Sequence, residues 1–338
     1  MTKAGIVTEL LNPENQAAGA GIAEVQAAAG RIIDQLERVI VGKRAILTRV
    51  VTALLCEGHV LLEDVPGVGK TMLARSLAAT IGGAFQRIQF TPDLLPSDVT
   101  GSLVFDPRTA EFSYRPGPVM ANVVLADEIN RAGPRTQAAL LEAMEERHVT
   151  VERERKPLPR PFFVIATQNP VEMDGTFPLP EAQLDRFFLR TSIGYPSEAD
   201  EIAMLRRFRT GTPLDALTAL TAPEELTRLI AAVRGVRIGD AVERYLLALI
   251  RATRDDERIA MGASPRGSLA LARAAQASAA LAGRDYVLPD DVQAMAGPVL
   301  AHRIMPAAQF GLRGLSSDDL IAAIVEAVPV PVEAAAQL

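Results

Sequence analysis

The chain has 338 residues, 49% apolar and 22% charged, enough to fill two cores and inconsistent with wholesale disorder. Its 35 Lys and Arg stand against 41 Asp and Glu, and the net charge of −6 argues against a broad nucleic-acid surface, which needs excess positive charge, while leaving room for a locally basic pore. Cys56 is the single cysteine, so no intramolecular disulfide forms, and His59, His148 and His302 are too scattered for a zinc site. The N-terminus lacks a basic-then-apolar signal pattern and no stretch approaches 18 consecutive apolar residues, so a reducing cytoplasm is the expected setting.

Residues up to about Asn15 read as a mobile tail. From Ala17 to Arg38, Ile22, Val25, Ile32, Ile33 and Leu36 recur at helical spacing. Ile40-Val41-Gly42 breaks the pattern, and a second apolar helix is predicted from about Arg44 to Glu57. His59 to Leu62 is a short apolar run entering a Gly-rich turn, followed by a helix over Lys70 to Ile81. Further short strands are predicted at Phe85 to Phe90, Val123 to Ala126 and Phe163 to Ala166, the last two separated by a helix over Gln137 to Glu146. Strands buried on both faces and alternating with helices indicate a mostly parallel sheet flanked by helices. Leu103 to Tyr114 and Val149 to Leu158 read as hairpins projecting from that sheet. After Tyr195-Pro196-Ser197 the strand signals stop, and six helical segments follow. The division expected is a tail and helix over 1–29, an α/β domain over 30–195 and an all-helical domain over 196–338.

Gly67-Val68-Gly69-Lys70-Thr71 lies between a strand and a helix. Successive backbone N–H groups in such a loop turn inward and the helix presents its positive end, which together cradle an anion. Lys70 is expected to reach the outer phosphates of ATP, and the Thr71 hydroxyl to ligate Mg²⁺. The full phosphate-loop pattern has Gly where this chain has Asp64; that glycine mainly eases the turn. Pro66, Gly67, Val68, Gly69, Lys70, Thr71 and Met72 are thus the expected phosphate cradle for ATP or ADP.

Val123 to Ala126 leads into Asp127-Glu128, which places two carboxylates at the C-terminal edge of the sheet, where ligands bind in open α/β folds. Asp127 is expected to hold hydrated Mg²⁺ and Glu128 to orient or deprotonate the attacking water. The strand ending in Thr167-Gln168-Asn169-Pro170 is expected to aim polar groups at the γ-phosphate and that water. Arg186, in Leu184-Asp185-Arg186-Phe187, is either half of a surface Asp–Arg pair or a stabiliser of transferring phosphate. Arg266, in Ser264-Pro265-Arg266-Gly267, starts a helix of the second domain.

The ordered set resembles the MoxR family of AAA+ ATPases across roughly residues 30–330. It rests on LLEDVPGVGKT (Leu61 to Thr71), RIQFTPDLLPSDVTG (Arg87 to Gly101), LADEINRA (Leu125 to Ala132), LLEAMEERHVTV (Leu140 to Val151), VIATQNPVE (Val164 to Glu172), LPEAQLDRF (Leu179 to Phe187) and SPRG. The resemblance implies an α/β P-loop ATPase domain with a helical lid, assembled in rings, usually of six, with ATP between domains and between subunits. It makes Asn169 a first sensor, Arg266 a second sensor acting from the lid, and Arg186 an arginine finger acting in trans on the next subunit. Val41 and Gly42 resemble the segment near the adenine, and the inserts at about 101–117 and 148–158 resemble hairpins facing the pore or substrate. The family is chaperone-like and works with von Willebrand factor A domain partners on client proteins. A metal-chelatase-type motor subunit is an alternative. A nucleic-acid motor is disfavoured because Arg147, Arg153, Arg155 and Lys156 alternate with Glu145, Glu146, Glu152 and Glu154. A scaffold that binds ATP without turnover is disfavoured by the intact Asp127, Glu128, Asn169 and Arg186.

Overall fold

Strands β1 (Val60–Glu63), β5 (Val123–Asp127) and β8 (Phe163–Gln168) form from the apolar runs, and nearly every side chain in them is buried. Strands without a solvent face belong inside a parallel sheet covered by helices. In this computed structural model they join β2 (Phe85–Gln89) and β9 (Leu189–Thr191) in one sheet ordered β2-β5-β8-β1-β9, every pair parallel. The structure describes residues 13–152, 154–169, 175–209, 211–312 and 314–331. Arg153 and the Pro170 to Glu172 part of the motif lie outside them.

Strand β9 is not anticipated by the sequence reading. Leu189-Arg190-Thr191 is short and has an arginine at its centre, so only pairing with β1 reveals it. At the opposite edge, β2 buries Ile88 fully and leaves Gln86, Arg87 and Gln89 exposed. Parallel pairing brings all the C-terminal strand ends to one rim, with Glu63 opposite Gln168 and Gln89 opposite Asp127.

The helix Pro134–Glu146 starts on a proline, whose fixed φ and missing N–H suit the first helical turn, and buries Leu140, Leu141 and Met144. These pack with Val124, Ala126, Val164, Ala166, Phe162 and Phe187 in the core. Removing a fully buried aromatic such as Phe187 leaves a cavity costing about 3–5 kcal/mol. The two hairpins form as expected, each a separate antiparallel pair: β3 (Gly101–Asp106) with β4 (Glu111–Pro116), and β6 (His148–Val151) with β7 (Glu154–Pro157).

Packing divides the chain into two units, Arg31–Thr227 and Met1–Gly30 with Arg228–Leu338. The first continues past the last sheet strand through the helix Glu198–Phe208, which Ser197 caps by accepting from the Asp200 amide. The first described helix, Pro13–Glu37, begins earlier than the apolar spacing suggests, again on a proline. Most of its length belongs to the second unit. That unit is built mainly from the helices Asp240–Asp255, Pro265–Leu281, Pro289–Leu300 and Ser317–Ala327. It is not wholly helical, because β10 (Ile259–Met261) and β11 (Met305–Pro306) form a short antiparallel ladder. Segments this brief carry no legible alternation of apolar and polar residues. Among the described residues no helix is long and apolar enough to cross a membrane.

Candidate functional site

The loop between β1 and the helix Lys70–Thr80 turns on two glycines. Gly67 has φ +86° and Gly69 φ +96°, a left-handed region costly for any residue with a Cβ. A Cβ at Gly67 would meet nothing within 4 Å, so the loop borders open space at that residue. Gly69 is also the residue preceding the helix, whose first N–H groups have no partner within it. This is the geometry of an anion nest backed by a helix dipole.

A cavity of about 390 Å³ opens over this loop, lined by Pro66, Gly67, Gly69, Lys70, Thr71, Met72, Arg87, Gln89, Asp127, Glu128 and Asn169. The structure thus brings together most of the expected phosphate residues, both acids and Asn169. Val68, Val41 and Gly42 are outside the lining. Gly42 instead packs against the Asp200 carboxylate, so tightly that a Cβ there would overlap it at 2.2 Å. Lys70 donates from Nζ to the Asp64 carbonyl oxygen at 3.0 Å.

Asp64 is more than a tolerated substitute for glycine. Its buried carboxylate accepts from Ser192 Oγ (3.1 Å), the Ile193 amide (2.6 Å) and the Gly194 amide (2.9 Å). It therefore fastens the start of the phosphate loop to the segment leaving β9, a role the sequence reading missed.

The two acids are held from below by one side chain. Thr167 Oγ1, fully buried, donates to Asp127 Oδ1 at 2.6 Å and accepts from the Glu128 amide at 2.9 Å. Thr167 was expected to face phosphate; it orients the Asp127 carboxylate and holds the Glu128 backbone instead. Gln168 likewise turns away, donating to Glu63 Oε1 at 2.7 Å. Of the polar residues ending β8, Asn169 lines the cavity. Glu128 adopts left-handed backbone angles, φ 59° and ψ 49°, which cost a non-glycine residue about 1–3 kcal/mol and which surrounding contacts must hold. Its carboxylate accepts from Gln89 Nε2 at 2.7 Å and lies 3.2 Å from Arg131 Nε.

Arg87 was also not anticipated. From the exposed side of β2, its Nε (3.1 Å) and Nη2 (2.6 Å) both donate to Asp127 Oδ2. The strand predicted at Phe85 to Phe90 is expected to be buried on both faces, but β2 exposes Gln86, Arg87 and Gln89, and its register against β5 puts Arg87 and Gln89 beside the acids.

The Thr71 hydroxyl and Asp127 carboxylate are hard oxygen donors on one cavity, and Asp127 is already matched to a cation. Mg²⁺ takes one or two such protein donors and completes its shell with phosphates and water, so the residues fit it.

Arg186 does not line this cavity. It sits between Asp185 and the buried Phe187, with Nε 3.2 Å from Glu145 Oε2 but poorly aligned for a hydrogen bond. Arg266 lies in the other unit, at the first turn of the helix Pro265–Leu281, where its amide donates to Ser264 Oγ at 3.1 Å.

His59 is a structural element under β8. It accepts from the Val164 amide at Nδ1 (3.0 Å), which leaves Nε2–H to donate to the Met144 carbonyl (3.1 Å), and it meets Phe162 edge-on. Burial, reinforced by the nearby Arg147 charge, pushes its pKa down to about 3, so the ring is neutral.

Comparison with known proteins agrees with this geometry. Residues 59–189 match the family model "ATPase family associated with various cellular activities (AAA)", and residues 251–324 match "AAA lid domain". Chaperone MoxR1 of Mycobacterium tuberculosis is 40% identical over 310 residues, 89% of this chain and 82% of its own. The uncharacterised protein YeaC of Bacillus subtilis is 51% identical over 307 residues, 91% of this chain and 96% of its own. A solved structure from Cytophaga hutchinsonii superposes with a TM-score of 0.87 at 35% identity, covering 95% of this chain and all of that one.

Proposed function

We propose a function from one premise: the chain belongs to the MoxR family of AAA+ ATPases. It binds ATP with Mg²⁺, hydrolyses it to ADP and phosphate, and uses the cycle to remodel or assemble client proteins. The observation that carries this is the convergence of the Gly67–Thr71 nest, Asp127, Glu128 and Asn169 on one cavity.

The amides of the nest take phosphate oxygens, and Lys70 leaves the Asp64 carbonyl to add its charge. Thr71 and Asp127 hold Mg²⁺, which when bound neutralises charge on the phosphate oxygens. Glu128, held by Gln89 and Thr167, takes the proton of the attacking water, and Asn169 orients that water. Arg186 acts in trans on a neighbouring subunit's phosphate, and Arg266 acts from the lid. In support, Arg186 is tied only loosely to Glu145 and lies off its own chain's cavity.

The working form is a ring, usually of six copies, in the cytoplasm, with the 101–117 and 148–158 hairpins toward the client and a von Willebrand factor A domain protein as partner. The test is Glu128→Gln. The variant should bind a fluorescent ATP analogue as tightly as the wild type while phosphate release falls at least 100-fold, as for loss of a general base. Turnover within twofold of wild type would remove Glu128 from the role of base.

A further inference from the structure

Asp127 is a buried carboxylate that already accepts three hydrogen bonds. Oδ1 accepts from Thr167, and Oδ2 accepts two N–H groups of Arg87 at 2.6 and 3.1 Å. A carboxylate oxygen has two lone pairs, so Arg87 saturates Oδ2 and leaves one unfilled position on Oδ1. The pair is lopsided in exposure: the Asp127 side chain is 13% exposed and that of Arg87 47%. An ionised group so enclosed needs a cation beside it, whereas the guanidinium reaches solvent and can be hydrated when it lets go of the carboxylate. Its position on the edge strand β2 gives it that access to water. The Nη2 group also donates to Gln89 Oε1 at 2.6 Å, a tether on the same strand.

We infer that Arg87 stands in for the metal: in the nucleotide-free protein its guanidinium neutralises Asp127 and keeps Mg²⁺ off that carboxylate until metal and nucleotide arrive together. A divalent cation arriving alone meets an occupied oxygen and a positive charge within hydrogen-bond distance of its intended ligand. Arriving with the nucleotide, it brings phosphate charge that offsets Arg87 and gives the guanidinium another anion to face. Arg87 is on these terms a positioning residue that sets the order of binding. This rests on the assignment of the cavity as an Mg²⁺–ATP site.

Two measurements on the full chain test it, with Mn²⁺ as the metal probe read by electron paramagnetic resonance and a fluorescent ATP analogue as the nucleotide probe. Without nucleotide, Arg87→Gln should bind Mn²⁺ about tenfold more tightly than wild type. Arg87→Lys, which keeps the charge and loses the two-pronged grip, should gain about threefold. With EDTA present, the nucleotide should bind Arg87→Gln several-fold more weakly than wild type, because Asp127 is then an uncovered negative charge beside the phosphates. Should Arg87→Gln fail to fold, the Mn²⁺ affinity of Arg87→Lys decides. Unchanged Mn²⁺ affinity in the folded variants, with normal Mg²⁺–nucleotide binding by the wild type, overturns this inference alone. A wild type that binds no nucleotide with Mg²⁺ overturns it together with the proposed function.

Discussion

Replacing Asp64 by glycine would restore the full phosphate-loop consensus, yet the structure expects harm. The Asp64 carboxylate is the acceptor for Ser192 Oγ and for the Ile193 and Gly194 amides. Ile193 is buried, so its N–H loses its partner without gaining water, while the groups of Ser192 and Gly194 are partly reachable by solvent. A hydrogen bond to a charged group contributes about 1.5–3 kcal/mol, so two effective losses with one partly refilled come to about 3 kcal/mol. Glycine's greater freedom in the unfolded chain adds roughly 0.5–1 kcal/mol, with no compensation because Asp64 is not among the positive-φ residues. Asp64→Asn retains one acceptor oxygen and should lose about half as much. Hydrogen–deuterium exchange by mass spectrometry reads the effect where it arises: a peptide covering 189–196 should exchange on the order of 100-fold faster in Asp64→Gly, following from the local free-energy loss. Urea unfolding followed by circular dichroism gives the global value. If Asp64→Gly matches wild type within about 0.5 kcal/mol and 189–196 exchanges unchanged, then the carboxylate does not hold that segment and the assignment is wrong.

Arg186→Ala should bind nucleotide normally but hydrolyse it at least 100-fold more slowly, and wild-type specific activity should rise with protein concentration; activity independent of concentration in a strictly monomeric sample would contradict a shared site. His59 gives a pH signature. Its folded pKa, about 3, lies below the ordinary value of 6.5, so the folded state resists protonation; its contribution is complete above pH 6.5 and declines by about 1.4 kcal/mol per unit as pH falls from there toward 3. Stability measured at pH 7 and pH 5 should therefore differ by about 2 kcal/mol more in wild type than in His59→Gln, and parallel acid limbs would refute the assignment.

Much of the α/β unit is legible in the chain because β1, β5 and β8 have no solvent face and so read as unbroken apolar runs. Lys70 and Thr71 are legible because a Gly-rich turn separates them from β1 at the start of a helix, and Asp127, Glu128 and Asn169 because they end or directly follow apolar strands. The failures share a cause, which is that they depend on pairing. Strand β9 has its arginine at the centre and does not declare itself until hydrogen-bonded to a neighbour. Strand β2 is predicted, but as one buried on both faces, and only its register against β5 brings the exposed Arg87 and Gln89 beside the acids. The task of Asp64 was illegible for a similar reason, since its partners are amides near position 193 that carry no side-chain signature. The ladder of β10 and β11 is too brief for any periodicity to register.

Strand β9 has a mechanical corollary. The chain runs from Arg186 and the anchored Phe187 directly into β9, which is hydrogen-bonded along β1, and leaves it through the residues that Asp64 grips. A tug on the arginine is therefore borne along a stiff, doubly fastened ribbon whose far end is the doorway of the phosphate loop. Slack at Ser192 to Gly194 would turn that ribbon into a loose cord, and Asp64 is the knot that keeps it taut.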